Sequence, residues 1–417
     1  MTRKVKAVLL SVFAMALSSN AQFTQSNARV ESMADIFIIE DISYVYRYAA
    51  KMNQYKNDIQ VTFPTPMLGI KSFGENFSAG AYVRNGLMLD QSNAATNFYA
   101  LGRAAVNTVN PVPDITSDPT YIPHLLFGMS VAGMNIGVDL FYEWARTRYS
   151  DEYKTGTAAV PSTITTKQSA TLYNPGFIGS IQLGVEEVPI LLKAGVGFPR
   201  ISGKSKITNE TSGSPKVTTE NKIKSESGLY LEFGGEAGIP LLGATFTPGI
   251  DFIAESYAFK ANSDDADNKY RNNRFAAYAG LTKKAFSNGL WSALYQIKFN
   301  ASKNDVTTSD SANDLQIDTL RQIFSVGAEN GWDSVWVFDK VFARGGIGLS
   351  MTTPYRGAES DTADLSEKGQ TTFRPVPTIG IGITKGVFEL DVMVDLANWG
   401  GLATGPDVAA VTGTLRF

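Results

Sequence analysis

Along most of this chain apolar side chains return at every second position. From Met134 the even positions read Met134, Ile136, Val138, Leu140, Tyr142 and Trp144, and the odd positions between them Asn135, Gly137, Asp139, Phe141 and Glu143. A strand points successive side chains to opposite faces, so this run is a strand with one apolar and one mostly polar face. The pattern recurs over 242–255 and 388–396, and again near 76–85, 124–131, 171–185, 188–203, 225–239, 271–287, 289–302, 319–330, 335–352, 371–385 and 407–417. Many of these runs exceed the roughly five or six residues of an ordinary strand. The connections alternate too: short turns at Ala132-Gly133, Glu186-Glu187, Pro240, Asn288-Gly289, around Gly331 and at Lys385-Gly386 exchange with polar stretches at 151–168, 204–223, 260–271, 302–318 and 353–370, read here as long loops. Long strands with short turns at one end and long polar connections at the other are the pattern of a closed antiparallel barrel in a membrane.

The first residues agree with that destination. Arg3, Lys4 and Lys6 precede an apolar stretch over 7–17, followed by small residues at Ser19 and Ala21. This is the layout of a secretory signal peptide over 1–21, cut before Gln22, and the stretch is too short for the ~20 residues that a spanning helix needs. The opposite end reads Val411, Gly413, Leu415 and Phe417 against Thr412, Thr414 and Arg416. A last strand ending in an aromatic residue resembles the outer-membrane assembly signal, and it places the short turns on the periplasmic side. The expected fold is therefore all-β, a transmembrane antiparallel β-barrel over 57–417 in the bacterial outer membrane. Counting back from Phe417 favours fourteen strands with the first near 76–85, and sixteen if 58–63 and a segment within 35–48 both join the wall, since single-chain bacterial barrels are even-numbered.

Composition narrows the function. The chain has no Cys and one His, His124, so disulfides, iron–sulfur clusters, cysteine nucleophiles and multi-histidine metal or haem sites are excluded. A net charge of −3 without a basic run offers nothing to nucleic acid. The pairs Gly195-x-Gly197, Gly345-Gly346-x-Gly348 and Gly380-x-Gly382 lack the helix of a phosphate loop and read as bends or close approaches within strands. The acidic stretch 262–268 lacks the glycine and distal Glu of a calcium loop and reads as solvated. Neither enzyme activity nor a cofactor is expected. The informative constellation is the charge on the polar faces. Asp139, Glu143, Glu232, Glu236, Asp251 and Glu255 fall there, as do Glu389, Asp391 and Asp395, and they are opposed by Lys193, Lys298, Arg344, Arg274 and Arg416. Such a wall forms either a salt-bridge network or a passage that favours cations.

Residues 22–56 precede the barrel as a periplasmic or plug segment. Phe37, Ile38, Ile39, Tyr44, Tyr46 and Tyr48 make it too apolar for a solvated tail. Its Asp41-x-Ser43 element, followed by Tyr48-Ala49-Ala50, resembles the N-terminal region of the long-chain fatty-acid transporter (FadL-like) superfamily. That resemblance implies that the segment, with Glu40, Asp41, Tyr44 and Tyr48, folds into the barrel as a plug, and that the protein passes hydrophobic compounds or serves another outer-membrane role. The expected function is passive passage of small solutes, hydrophobic ones among them. The alternative is a barrel that transports nothing and anchors external loops for adhesion, envelope structure or partner docking. Its expected partners are outer-membrane lipid, the assembly machinery and such solutes. Deleting Phe417 is expected to lower the yield of folded protein in the membrane fraction, and an unchanged yield would refute its role as an assembly signal.

Overall fold

A computed structural model describes residues 28–55, 57–63, 67–85, 114–117, 121–157, 160–184, 188–260, 268–285, 288–307, 312–360, 363–396 and 407–417. The signal peptide expected over 1–21 and the acidic stretch at 262–267 lie outside them. The chain forms a closed barrel of sixteen antiparallel strands. The first three are β1 (Asp58–Phe63), β2 (Met67–Ser72) and β3 (Phe77–Asn85). Next come β4 (Asp114–Ser117 continued by Tyr121–Val131), β5 (Met134–Thr157), β6 (Val160–Leu183), β7 (Ile190–Gly197 with Arg200–Thr211) and β8 (Val217–Ala237 with Ile239–Leu241). The wall continues through β9 (Ala244–Lys260), β10 (Asn268–Ala285), β11 (Gly289–Thr307) and β12 (Ala312–Asp333). It ends with β13 (Lys340–Ser360), β14 (Ala363–Lys368 with Thr372–Lys385), β15 (Phe388–Asp395) and β16 (Asp407–Arg416). Each strand pairs with its neighbours in sequence, and β1 closes the wall on β16 in a register running from Asp58↔Arg416 to Phe63↔Val411.

Sixteen strands is the higher of the two expected counts, and the residues that supply it differ in part from expectation. Segment 58–63 joins the wall as β1, but the second added strand is Met67–Ser72. Residues 35–48 form an irregular stretch and the 3₁₀ turn Ile42–Tyr46 inside the barrel instead. The polar stretches read as long loops are for the most part paired strand. β5 and β6 stay in register from Asn135↔Gln182 up to Thr157↔Val160, so only 158–159 connect them. Hydrophobic alternation ends along this hairpin while its β-branched, Thr-rich strands keep their ladder. The turn expected near Gly331 falls later, over 334–339, where Gly386 N–H and the Lys385 ammonium donate to Asp339 at 2.6 and 3.0 Å. These two donors hold the Asp339 carboxyl below the usual carboxylate range.

Outward alternate positions carry an apolar belt, including Leu125, Phe127, Leu140, Phe177, Phe233, Ile250, Phe324, Ile347 and Ile381, all exposed. No helix among the described residues is long and apolar enough to cross a membrane. An exposed apolar band on a closed wall fits contact with lipid. The inward alternates are buried and polar, such as Thr247, Asn272, Ser292, Gln296, Ser325 and Thr412.

The wall is not equally tall all round. β5 and β6 each run for 24 residues, whereas β1 and β2 have six each. At roughly 3.3 Å per residue the β1–β2 hairpin rises about 20 Å before tilt is counted, short of the ~25 Å apolar band of such barrels. Among the described residues, the ends of β3 (84–85) and β16 (407–410) above it pair on one side only. If the outward belt meets lipid, Ile250→Arg should lower stability by roughly 2–4 kcal/mol, the cost of a cation at the lipid midplane, whereas Ile250→Leu should leave it unchanged. Urea midpoints in lipid vesicles would show this, and equal midpoints would place Ile250 off the membrane.

Candidate functional site

The described part of the N-terminal segment lies within the barrel at the short-turn end. It comprises a helical turn α1 (Ala28–Ser32), an irregular stretch, and two 3₁₀ turns at Ile42–Tyr46 and Ala49–Gln54. The Asp-x-Ser element has a local cause: Asp41 is the N-cap of the first 3₁₀ turn, and its Oδ1 accepts from Ser43 N–H at 2.9 Å. Two apolar clusters bind the segment to the wall. Ile42, Val45, Tyr46, Ala49 and Met52 pack against Leu68, Ile70, Tyr82 and Leu126, while Val30, Met33, Ile36, Ile38 and Ile39 pack against Tyr278 and Leu294. Tyr44 and Tyr48 pack on Leu191.

Glycines on the inner face let the segment approach the wall backbone. A β-carbon at Gly137 would overlap the backbone of Ala49 and Ala50, and one at Gly346 would stand 2.6 Å from Ala34 N. Gly80, Gly128, Gly280 and Gly327 face Met52, Ile38 and Met33 in the same way. Gly346, whose spacing resembles part of a phosphate loop, therefore serves a close approach between two backbones. Ala50 N–H also donates to Ser180 Oγ at 2.9 Å, and Ala34 N–H to Thr378 Oγ1 at 3.2 Å.

Two ion-pair clusters join segment and wall. In the first, Arg29 binds Glu329 through two bonds of 3.0 Å and Asp41 at 3.2 Å. Arg344, 1% exposed at its side chain, meets the same Glu329 at 2.5 Å and also pairs with Asp391. The chain Asp41–Arg29–Glu329–Arg344–Asp391 alternates in sign throughout. In the second cluster, Arg47 binds Glu236 at 3.2 Å and Asp251 at 3.3 Å, and donates to Tyr278 Oη at 2.7 Å. Its guanidinium lies 4.3 Å from the Phe37 ring centroid and 5.3 Å from that of Tyr48, a cation–π setting. Lys193 bridges Glu232 at 2.5 Å and Asp251 at 3.1 Å.

The other inward charges are also held in place. Asp139 meets His124 Nδ1 at 2.9 Å and accepts from Tyr82 Oη at 3.0 Å, with the Tyr82 and His124 rings stacked at 3.9 Å. Asn174 donates to Glu143 at 2.9 Å; Asn272 donates to Glu255 at 2.6 Å, and Arg274 stands 3.8 Å from that carboxylate. Arg416 binds Glu389 at 2.8 Å at the short-turn rim. Lys298 lies on the inner face of β11. Asp395 pairs through its backbone with Thr378 and Asp407, and its side chain is outside the described residues. Glu40 is exposed, and its carbonyl accepts from Arg29 at 3.2 Å. Near it a cleft of about 220 Å³ lies between segment and wall, lined by Arg29, Asp41, Tyr55, Glu389, Asp391 and Arg416. Along β16, Val411 and Gly413 alternate with buried Thr412 and Thr414, Leu415 and Phe417 are exposed, and Phe417 N–H donates to Asn57 at 3.1 Å.

Of the two arrangements that the sequence allowed for the inward carboxylates, the geometry forms the paired one. The main partners that sequence reasoning missed are Arg29, Arg47 and Glu329. Glu329 was open to detection by its phase with Ser325 and Gly327. The two arginines lie where no strand periodicity assigns a face, and cations within a segment rich in aromatic and apolar residues were the available signal. Among the described residues no group of three or more His, Asp or Glu could hold a metal.

No family model and no curated protein matches the chain. Among solved structures it is similar to the CymD monoaromatic hydrocarbon channel, at 8% identity over 94% of this chain and 97% of that one, with a TM-score of 0.42. It is also similar to the ferric citrate transporter FecA in its unliganded form, at 9% identity over 81% of this chain and 65% of that one, with a TM-score of 0.24. At these identities and TM-scores neither likeness bears on what this chain does. Because Glu329 joins Arg29 to Arg344, Glu329→Ala leaves the half-buried Arg29 with Asp41 alone and the buried Arg344 with Asp391 alone, and should destabilise the plugged state by about 1–3 kcal/mol. Limited proteolysis should then cut within 28–55 while the barrel resists, and an uncut segment would show that the ion pairs do not hold it.

Proposed function

We propose that the protein is an outer-membrane channel for passive passage of small hydrophobic solutes. The observation that supports it best is the coincidence of a low wall with an apolar inner face. Leu68, Ile70, Tyr82, Ile122 and Leu126 form an apolar patch on β2–β4 beside polar Ser78 and His124, with Gln60 and Thr62 inward on β1, whereas the inner faces of β9–β13 are largely polar. Leu68 pairs with Tyr82 in register, and Ile122 lies one step above, opposite Arg84. Leu68 and Tyr82 are buried beneath Ile42, Val45, Tyr46, Ala49 and Met52 of the segment, so a solute on this side meets their hydrocarbon-like lining once the segment shifts, and beyond it a wall shorter than the bilayer core. Elsewhere it meets buried ion pairs, which an apolar molecule cannot solvate. The ion-paired segment occupies much of the short-turn half, which suits an apolar cargo better than a hydrated one.

The packed lumen also favours the anchoring alternative, and one experiment separates the two. In cells with a lipopolysaccharide barrier, expression should raise the initial uptake of naphthalene but not of a disaccharide, and Ile122→Thr, outside the cluster that seats the segment, should reverse the gain. Naphthalene uptake equal to that of cells without the protein would overturn the channel and leave the anchoring barrel.

A further inference from the structure

A second group of charges stands above the plug and is not part of its ion pairs. Lys298 on β11 and Arg321 on β12 are direct cross-strand partners. Arg321 Nε donates to Ser350 Oγ on β13 at 2.8 Å, and Ser350 is the cross-strand partner of Arg374 on β14. Alternation puts all three cations on the inner face, Lys298 in phase with buried Gln296, Arg321 with buried Ser325 and Arg374 with buried Thr378. Arg321 and Arg374 are nevertheless exposed, so they border the open space of the lumen above the plug.

Like charges at opposed positions of neighbouring strands repel, and this arc sets three cations on four adjacent strands. None of the three makes an ion pair among the described residues. The carboxylate acting on both Lys298 and Arg321 is Asp35 of the plug segment; Asp251 also acts on Lys298 but is bound by Lys193 and Arg47. Among the described residues, the three cations outnumber the carboxylates that act on them, so the arc carries a surplus of positive charge.

We propose that this arc is a binding site for a phosphomonoester group. Such a group carries a charge of about −1.5 to −2 at pH 7 and three acceptor oxygens, which suit a cluster of three cations and the forked donors of two arginines. A monocarboxylate offers less charge and one oxygen fewer. A soluble ester and a lipid headgroup share this chemistry. The site is independent of hydrophobic passage, because it is read by binding rather than uptake.

The test is calorimetric titration of phenyl phosphate into the full-length protein in phosphate-free detergent buffer at low salt. One saturable site is expected, displaced by inorganic phosphate and not by benzoate or benzyl alcohol. Arg321→Gln and Arg374→Gln, both at exposed positions, should each weaken binding by about tenfold while leaving thermal unfolding unchanged. Absence of saturable binding, equal affinity for benzoate, or unchanged affinity in the double variant would overturn the proposal. Competition by phosphatidic acid, but not phosphatidylcholine, in nanodiscs assigns the group to a lipid, and failure to compete assigns it to a soluble ester; either result upholds the phosphomonoester.

Discussion

A closed wall that turns carboxylates inward must supply a partner for every charge that it removes from water. Here the matching is done jointly by the wall and by a segment that is not part of it. Glu329 sits between Arg29 of the segment and Arg344 of the wall, and Glu236 and Asp251 share Arg47. Without the segment, Glu236 would lose its cation and Glu329 and Asp251 would each keep one of two; without the wall, the segment would expose Met33, Ile36, Ile39 and Met52, all fully buried. Removing one member of such a pair costs more than the pair contributes, so the two parts are bound thermodynamically as well as sterically.

Much of this architecture was legible because a strand has only two faces. Once Met134–Trp144 alternate, the side that Asp139 and Glu143 occupy is settled, and both are buried. What periodicity could not reach follows from the same rule. β2, Met-Leu-Gly-Ile-Lys-Ser, is six residues long with a glycine at its third position, too short and too interrupted to show a period. In the hairpin extensions backbone pairing continues where hydrophobic alternation stops. Arg29 and Arg47 lie in turns, where no phase rule assigns a face, so the partners of Glu329 and Glu236 could not be identified without coordinates.

The irregular segment was legible in a different way. Its aromatic density indicated burial, and its Asp-x-Ser element has a local explanation in a capped 3₁₀ turn. Its seat, however, is written in glycines on strands far along the chain. Gly137 and Gly346 show as small residues in otherwise ordinary strands, and only the close approach of Ala49, Ala50 and Ala34 gives them a reason. The same inner wall therefore combines glycine against backbone, arginine against carboxylate, and an apolar face under the short hairpin, each on its own part of the circumference.

The separation in sequence between the segment and its partners has a kinetic consequence. Ala28 bonds to Thr412 across 384 positions, and Arg29 to Glu329 across 300. Contacts so remote are slow to form, because the loop entropy must be lost before they give anything back. β1, which directly follows the segment, is also the strand that meets β16 and completes the ring. The part that fills the barrel is thus tethered to the part that seals it, so the order of events is constrained by covalent connectivity: filling and sealing belong to the same late stage of folding, and a chain delayed in one is delayed in the other.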